Sequence, residues 1–262
     1  MKDKTIVITG ASSGIGLVTG EYLAAKGYKV YGLSRRAAED SPIIFIACDV
    51  TDKAQVAAAF EKIGDDIYAV INNAGIGIGG PVEYASPEDV QRIIDVNIIG
   101  IVNVCQAAIP RLRKSKGKII NIGSVAGDLI IPFQTFYSLT KAAAHVLTQG
   151  LAMELKPFGI KATTVLPGDT KTSFTANRRT NLAGDEVYKD RIERSIARME
   201  KDERSGKDPV TVARVIYKVL KRRRPPLKVT VGFEYKLLVF LNRLLPQKLV
   251  NGIIYRLYGG EK

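Results

Sequence analysis

Apolar runs and helix-period segments alternate along this chain. Seven runs read as strands: TIVIT (5–9), KVYGLS (29–34), IIFIA (43–47), YAVIN (68–72), GKIINIG (117–123), IKATTVL (160–166) and LKVTV (227–231). They are too continuously apolar for clean alternation, which suits strands covered on both faces. Between them, apolar residues recur at helical spacing near 14–26, 52–63, 87–114, 135–156 and 208–223. Ser86-Pro87-Glu88 and Asp208-Pro209 each place a capping side chain ahead of a proline at the first helical position. Strand–helix repetition of this kind predicts right-handed crossovers and an α/β fold: a doubly wound parallel sheet of about seven strands with helices on both faces.

One domain is expected over 1–232, with a polar segment at 170–206 (NRRTNLAGDEVYKDRIERSIARMEKDERSG within it) suited to a lid over a substrate. Residues 233–262 form a separate appendage, FEYKLLVFLNRLLPQKLVNGIIYRLYGG at its core, amphipathic, basic and broken at Pro246. Three readings of it stand: packing on the domain, an oligomer contact, or a helical element lying on a membrane surface.

Composition adds one asymmetry. The chain of 262 residues carries a formal charge of +13. Residues 1–170 hold 17 basic and 16 acidic side chains, whereas residues 171–262 hold 22 and 10, so the excess lies in the last third. An anionic partner or a solvated basic face would each account for it. No stretch of eighteen apolar residues suggests a membrane span, and MKDKTIVITG runs directly into a strand rather than resembling a signal peptide. Cys48 and Cys105 lie far apart in apolar runs and read as reduced core residues, which points to a cytoplasmic protein.

The candidate chemistry begins at TGASSGIG (9–16), where a buried strand ends and a helix opens. Gly10 permits a tight turn, Gly14 lets backbone approach a ligand, and Gly16 allows close packing of helix on strand. Ser12, Ser13 and Ile15 complete the turn, and free N–H groups at the helix start would face a pyrophosphate. The second strand ends LSRR, with no acid until Glu39. An acid there would hold the ribose 2′-OH of NAD, whereas Arg35 and Arg36 match the 2′-phosphate of NADP(H).

Tyr137 and Lys141 lie four apart in FYSLTKAAAH, on one face of a helix. They could be an ordinary surface pair, or a proton donor with the cation that depresses its pKa. The helix follows the fifth strand, whose carboxyl end opens on the ligand crevice, and Ser124 lies just past that strand, which favours the catalytic reading.

The set TGASSGIG, NNAG (72–75), Ser124, Tyr137-x-x-x-Lys141 and Pro167-Gly168, in this order, resembles the short-chain dehydrogenase/reductase family over roughly residues 3–232. The resemblance implies a Rossmann-type domain and hydride transfer between NADP(H) and a carbonyl or alcohol. It makes Tyr137 the general acid/base and Lys141 the group that lowers its pKa and bonds the nicotinamide ribose. Ser124 would stabilise the developing oxyanion, and Asn97 would hold a relay water; its plainer role is a buried Asn satisfying backbone. Asp49 and Val50 match the adenine contact, and Asn73, Ala74 and Gly75 the adenosine-ribose wall. Pro167, Gly168, Thr170 and Thr172 match the carboxamide and phosphate contacts. A homodimer or homotetramer is implied, through the helices at 87–114 and 135–156. The tail more weakly resembles those of relatives acting on steroid, retinoid or acyl-lipid ketones.

Other chemistries find little support. His145, the only histidine, sits two turns past Tyr137 without a triad, and no metal-ligand spacing occurs. A non-catalytic NADP(H) sensor on the same fold is the alternative function. Nucleic-acid binding lacks any recognisable module despite the basic last third.

Overall fold

The computed structural model describes residues 4–183, 185–188 and 190–260. Seven parallel strands form one sheet: β1 (Thr5–Thr9), β2 (Lys29–Ser34), β3 (Ile44–Ala47), β4 (Ile67–Asn72), β6 (Lys118–Ile122), β7 (Lys161–Leu166) and β9 (Lys228–Thr230), in the order β3-β2-β1-β4-β6-β7-β9. The order reverses between β1 and β4, so the crevice at their carboxyl ends is the switch point of a doubly wound sheet. Two further strands, β5 (Ile78–Gly79) and β8 (Arg179–Thr180), pair apart from it; their two-residue length leaves no pattern in the sequence.

Both faces are covered, as the continuous apolar runs require. Ile6 and Ile8 of β1 join Ile71 and Ile120 beneath α1 (Gly14–Ala24) and α8 (Val210–Lys221). Val7, with Val70 and Ile119, faces α2 (Lys53–Ile63), α4 (Gly100–Ser115) and α5 (Thr135–Glu154). Buried Lys118 sits where α8 ends: its ammonium donates to the carbonyls of Val219, Leu220 and Arg222. It thereby satisfies helix-end acceptors that would otherwise lack donors.

The helix expected over 87–114 is divided. It comprises α3 (Pro87–Ile94), a π turn (Asp95–Ile99) and α4. The run Pro87–Ser115 is long and apolar enough to cross a membrane by length and composition, but it packs on β4 as a core element. The segment after β7 carries α6 (Asp185–Tyr188) and α7 (Arg191–Arg204). The C-terminal stretch folds as α9 (Phe233–Leu244) and α10 (Gln247–Tyr258), divided at Pro246.

Candidate active site

A cavity of about 1000 Å³ opens at the carboxyl ends of the strands. Gly10, Ser12, Ser13, Gly14 and Ile15 form its floor, with Arg35 and Arg36 at one end beside Asp49 and Val50. Asn73, Ala74 and Gly75 face Pro167, Gly168, Thr170 and Thr172 across it. Ser124, Tyr137 and Lys141 stand further along. Two residues singled out from the sequence lie behind the wall. Gly16 packs so closely that a Cβ would sit 2.3 Å from the Gly10 carbonyl oxygen. Asn97 is buried, with roles described below.

The floor fits the diphosphate of a dinucleotide. Gly10 and Gly14 adopt φ of +63° and +54°, a region that suits glycine, and a Cβ on Gly10 would meet Ala74 backbone at 2.9 Å. Asn73 holds the turn from behind: its Nδ2 donates to the carbonyls of Thr9 and Gly10 at 3.0 and 3.1 Å. Thr9 Oγ1 accepts from the backbone of Asn73 and Ala74, both at 3.0 Å. Ser13, the N-cap of α1, makes no side-chain cap, and no acid stands in the first turn. That leaves the positive end of α1 turned to the cavity. Arg35 and Arg36 are exposed and make no ion pair among the described residues. The Asp49 carboxylate accepts from the Thr51 N–H and hydroxyl at 3.0 and 2.8 Å, a local turn that fixes the wall at that end.

Helix α5 carries Tyr137 and Lys141, and buried polar side chains set its position. Asn72 of β4 donates to Asn121 of β6 at 2.8 Å; Asn121 donates to Thr148 of α5, also at 2.8 Å. On the cavity side, the turn Val125–Gly127 lies against α5, where a Cβ on Gly127 would stand 2.9 Å from the Lys141 carbonyl carbon. Ser124 caps this turn, its Oγ accepting from the Ala126 N–H at 3.1 Å. The same hydroxyl interacts with the Tyr137 phenol. Phe174 packs on the Tyr137 ring with centroids 5.4 Å apart.

Lys141 is buried, its ammonium 5.5 Å from the Tyr137 ring centroid and donating to the Ile122 carbonyl at 3.0 Å. The two side chains therefore share one environment. Their electrostatics differ from the sequence expectation. Burial pushes the half-buried Tyr137 phenol up to about 12, against a smaller lowering by Ser124. Burial also brings the Lys141 ammonium down to about 8. In the free protein desolvation outweighs the mutual influence of the pair.

Asn97 explains the π turn. The extra residue turns its amide inward, where Oδ1 accepts from Ile76 N at 2.8 Å and Nδ2 donates to Ile76 O and Thr140 Oγ1, each at 3.0 Å. It ties the strand-following loop to α5, and a Cβ on Gly75 would lie 3.3 Å from both Asn97 Oδ1 and Lys141 Nζ. His145 lies outside the cavity, held by Thr164 at 3.2 Å and Gln149 at 2.9 Å. Both cysteines are free and buried, with thiols raised by burial. Among the described residues no group of His, Cys, Asp or Glu could hold a metal ion.

The far half of the cavity holds residues that sequence reasoning missed. Phe174, Glu203, Asp169 and Tyr235 line it, and Leu238, Leu241, Leu245, Val250 and Ile254 of α9 and α10 form an apolar wall. Tyr235 docks α9: its hydroxyl donates to Asp169 Oδ2 at 2.6 Å and accepts from Asp169 N at 3.1 Å. The buried Arg178 pairs with Glu203 beside Phe174.

Comparison with known proteins agrees with this architecture. The profile of the family described as short chain dehydrogenase matches residues 4–183. The chain is 42% identical over 239 residues to a 3-ketodihydrosphingosine reductase of Bacteroides thetaiotaomicron, covering 88% of this chain and 89% of the relative. It is 27% identical over 282 residues to human retinol dehydrogenase 16, covering 97% and 89%. A short-chain dehydrogenase from Streptomyces avermitilis superposes with a TM-score of 0.79 at 26% identity, covering 97% of this chain and 95% of that one. The glycine turn, the buried Tyr–Lys helix and these similarities together show that the chain is an oxidoreductase of the short-chain dehydrogenase/reductase family.

Proposed function

We propose that the protein is an NADP(H)-dependent reductase of a lipophilic ketone, working reversibly on the corresponding alcohol. The observation that carries this reading is the continuity of one cavity, from the unpaired Arg35 and Arg36, past Tyr137, to the apolar wall of α9 and α10. Similarity to a 3-ketodihydrosphingosine reductase and to a retinol dehydrogenase supports a lipid ketone or alcohol as the substrate class.

Bound NADPH would supply the hydride for the carbonyl carbon. Gly10, Ser12, Ser13, Gly14 and Ile15 would hold its pyrophosphate, and Arg35 and Arg36 its 2′-phosphate. Asp49 and Val50 would meet the adenine, and Asn73, Ala74 and Gly75 the adjoining ribose. Pro167, Gly168, Thr170 and Thr172 would line the nicotinamide end. Tyr137 would give its phenolic proton to the carbonyl oxygen. The Ser124 hydroxyl accepts from Ala126 and meets the Tyr137 phenol, and it would turn its proton to the same oxygen. The Lys141 ammonium favours the phenolate that Tyr137 becomes, and Asn97 keeps the loop at Ile76 in register with α5.

Two features bear on how the protein is deployed. Outward residues of α9 and α10, including Phe233, Phe240, Leu244 and Leu249, are exposed and interleaved with Lys236, Arg243 and Lys248. This supports a cytoplasmic protein with peripheral membrane contact, so that a lipid could pass from bilayer to cavity. Leu139, Val146 and Met153 form an exposed apolar stripe on α5, which supports a homo-oligomer.

The test is oxidation of NADPH and of NADH with a long-chain keto lipid, a steroid ketone, retinal and a small aldehyde. The expected result is turnover of the keto lipid with kcat/KM for NADPH at least about tenfold above NADH, a preference that shrinks in an Arg35→Ala, Arg36→Ala variant. Preference for NADH, or turnover of the small aldehyde alone, contradicts the proposal.

A further inference from the structure

The chain between β7 and β8 turns over the Tyr137 ring. Residues 173–177 form that turn: Asn177 N donates to the Ser173 carbonyl at 3.1 Å, and Phe174 N to Thr172 Oγ1 at 3.2 Å. Within it the Phe174 ring lies against Tyr137, centroids 5.4 Å apart and planes inclined by 51°. The far end of the ring meets Gly77, where a Cβ would stand 2.8 Å from Phe174 Cζ. Phe174 therefore fills a slot that only a glycine at position 77 leaves open.

Three sets of contacts hold the turn in place. Arg178 lays its guanidinium 5.8 Å from the Phe174 ring centroid. That guanidinium pairs with Glu203 of α7, and Glu203 also accepts from Thr175 Oγ1 at 2.6 Å. One carboxylate thus grips the turn at two points just past Phe174. The ladder of β5 with β8 supplies the third set: Arg179 N donates to the Gly77 carbonyl at 3.2 Å, and Asn181 N to that of Gly79 at 2.8 Å. It brings Gly77 beside Arg178, so that a Cβ there would lie 3.6 Å from Arg178 Cγ. The Arg178 side chain is 1% exposed and that of Glu203 15%. Arg178 Nε and Nη1 are buried without a hydrogen-bond partner among the described residues. A buried pair with donors left over adds little to stability, because desolvation offsets its attraction. Such a pair is better accounted for by what it positions, here an aromatic ring against Tyr137.

We propose that Phe174 is a positioning residue for proton transfer: latched by Arg178 and Glu203, its ring holds the Tyr137 phenol toward the substrate oxygen and keeps water from its face. This rests on the reductase reading above and adds to it a group that takes no proton itself. Aromatic pairs at this separation prefer inclined or edge-to-face geometry, so the contact constrains orientation as well as place. Proton and hydride transfer are sensitive to such placement, since a displacement of about 1 Å can cost about 100-fold in rate. Through the latch, α7 bears on the phenol by way of one ring.

The experiment is single-turnover NADPH oxidation over a range of concentrations of a long-chain keto lipid, with NADPH binding followed by fluorescence. It compares the wild-type protein with Phe174→Ala, Phe174→Leu, Glu203→Gln and the double variant Phe174→Ala, Glu203→Gln. Phe174→Ala is expected to lower the limiting rate at saturating ketone by about tenfold or more, with NADPH affinity within about threefold of wild type. Phe174→Leu, which keeps much of the bulk, should recover part of the rate. Glu203→Gln should also lower the limiting rate, and its effect should shrink to less than about threefold in the Phe174→Ala background, because it acts through that ring. A loss confined to apparent ketone affinity, with the limiting rate unchanged, would make Phe174 a lining residue only and overturn the inference. Equal losses from Glu203→Gln in both backgrounds would overturn it as well. Both results leave the reductase reading standing, since the wild-type protein turns over the ketone in each. If the wild-type protein reduces no ketone while binding NADPH, the reductase reading fails and this inference with it. Phe174→Leu decides the matter if the other variants do not fold.

Discussion

Tyr137 and Lys141 were readable in the sequence because their relation is local: four positions on one helix. What the sequence does not show is the balance of forces between them. Desolvation acts on each side chain singly, raising the phenol and bringing the ammonium to about 8, and it depends on walls built from distant segments. That balance has a kinetic consequence. Below pH 8 Lys141 is charged and can favour the phenolate left after proton transfer; above it that charge is lost. The kcat/KM for ketone reduction, which reports the free protein's groups, is therefore expected to fall as pH rises through about 8. A profile flat to pH 10 would show that the Lys141 charge contributes nothing to reduction. The docking of α9 on Asp169 was not legible at all. PGDT reads as part of a loop motif, and the carboxylate acquires its partner only from Tyr235, 66 positions later.

At the scale of elements, the seven strands were legible because a parallel sheet covered on both faces demands continuous apolar runs. The π turn was not. A helical period persists across 87–114, and one inserted residue that turns Asn97 inward barely disturbs it. The pairing of β5 with β8 joins segments about a hundred positions apart and leaves no local trace. The amphipathic tail posed a different difficulty, since its apolar residues serve two surfaces. Leu245 and Val250 line the cavity, while Phe233, Phe240 and Leu244 are exposed. Two faces of this kind on basic helices predict salt-sensitive attachment to a bilayer. In flotation assays the full chain is expected to rise with anionic vesicles at low salt, and less so at high salt. Removing the outward Phe233, Phe240 and Leu244 side chains should weaken the attachment. Absence of the intact chain from the floated fraction at any salt would exclude a membrane-surface role for α9 and α10.

At the scale of the whole molecule, the switch point between β1 and β4 brings a glycine turn, a Tyr–Lys helix and an apolar tail to one cavity. These parts come from both ends of the chain, so no single motif shows the path from the glycine turn to the apolar wall. The buried Asn72–Asn121–Thr148 chain holds α5 in place across the sheet, which is why the Tyr137 phenol can be both half-desolvated and fixed. The central claim is that the phenol at position 137 transfers the proton that accompanies hydride transfer. The most direct measurement is single-turnover NADPH oxidation by Tyr137→Phe with a long-chain keto lipid, alongside NADPH binding followed by fluorescence. The account predicts binding within about threefold of wild type and a rate lower by about 100-fold or more. Oxidation of NADPH by the variant at the wild-type rate would contradict it.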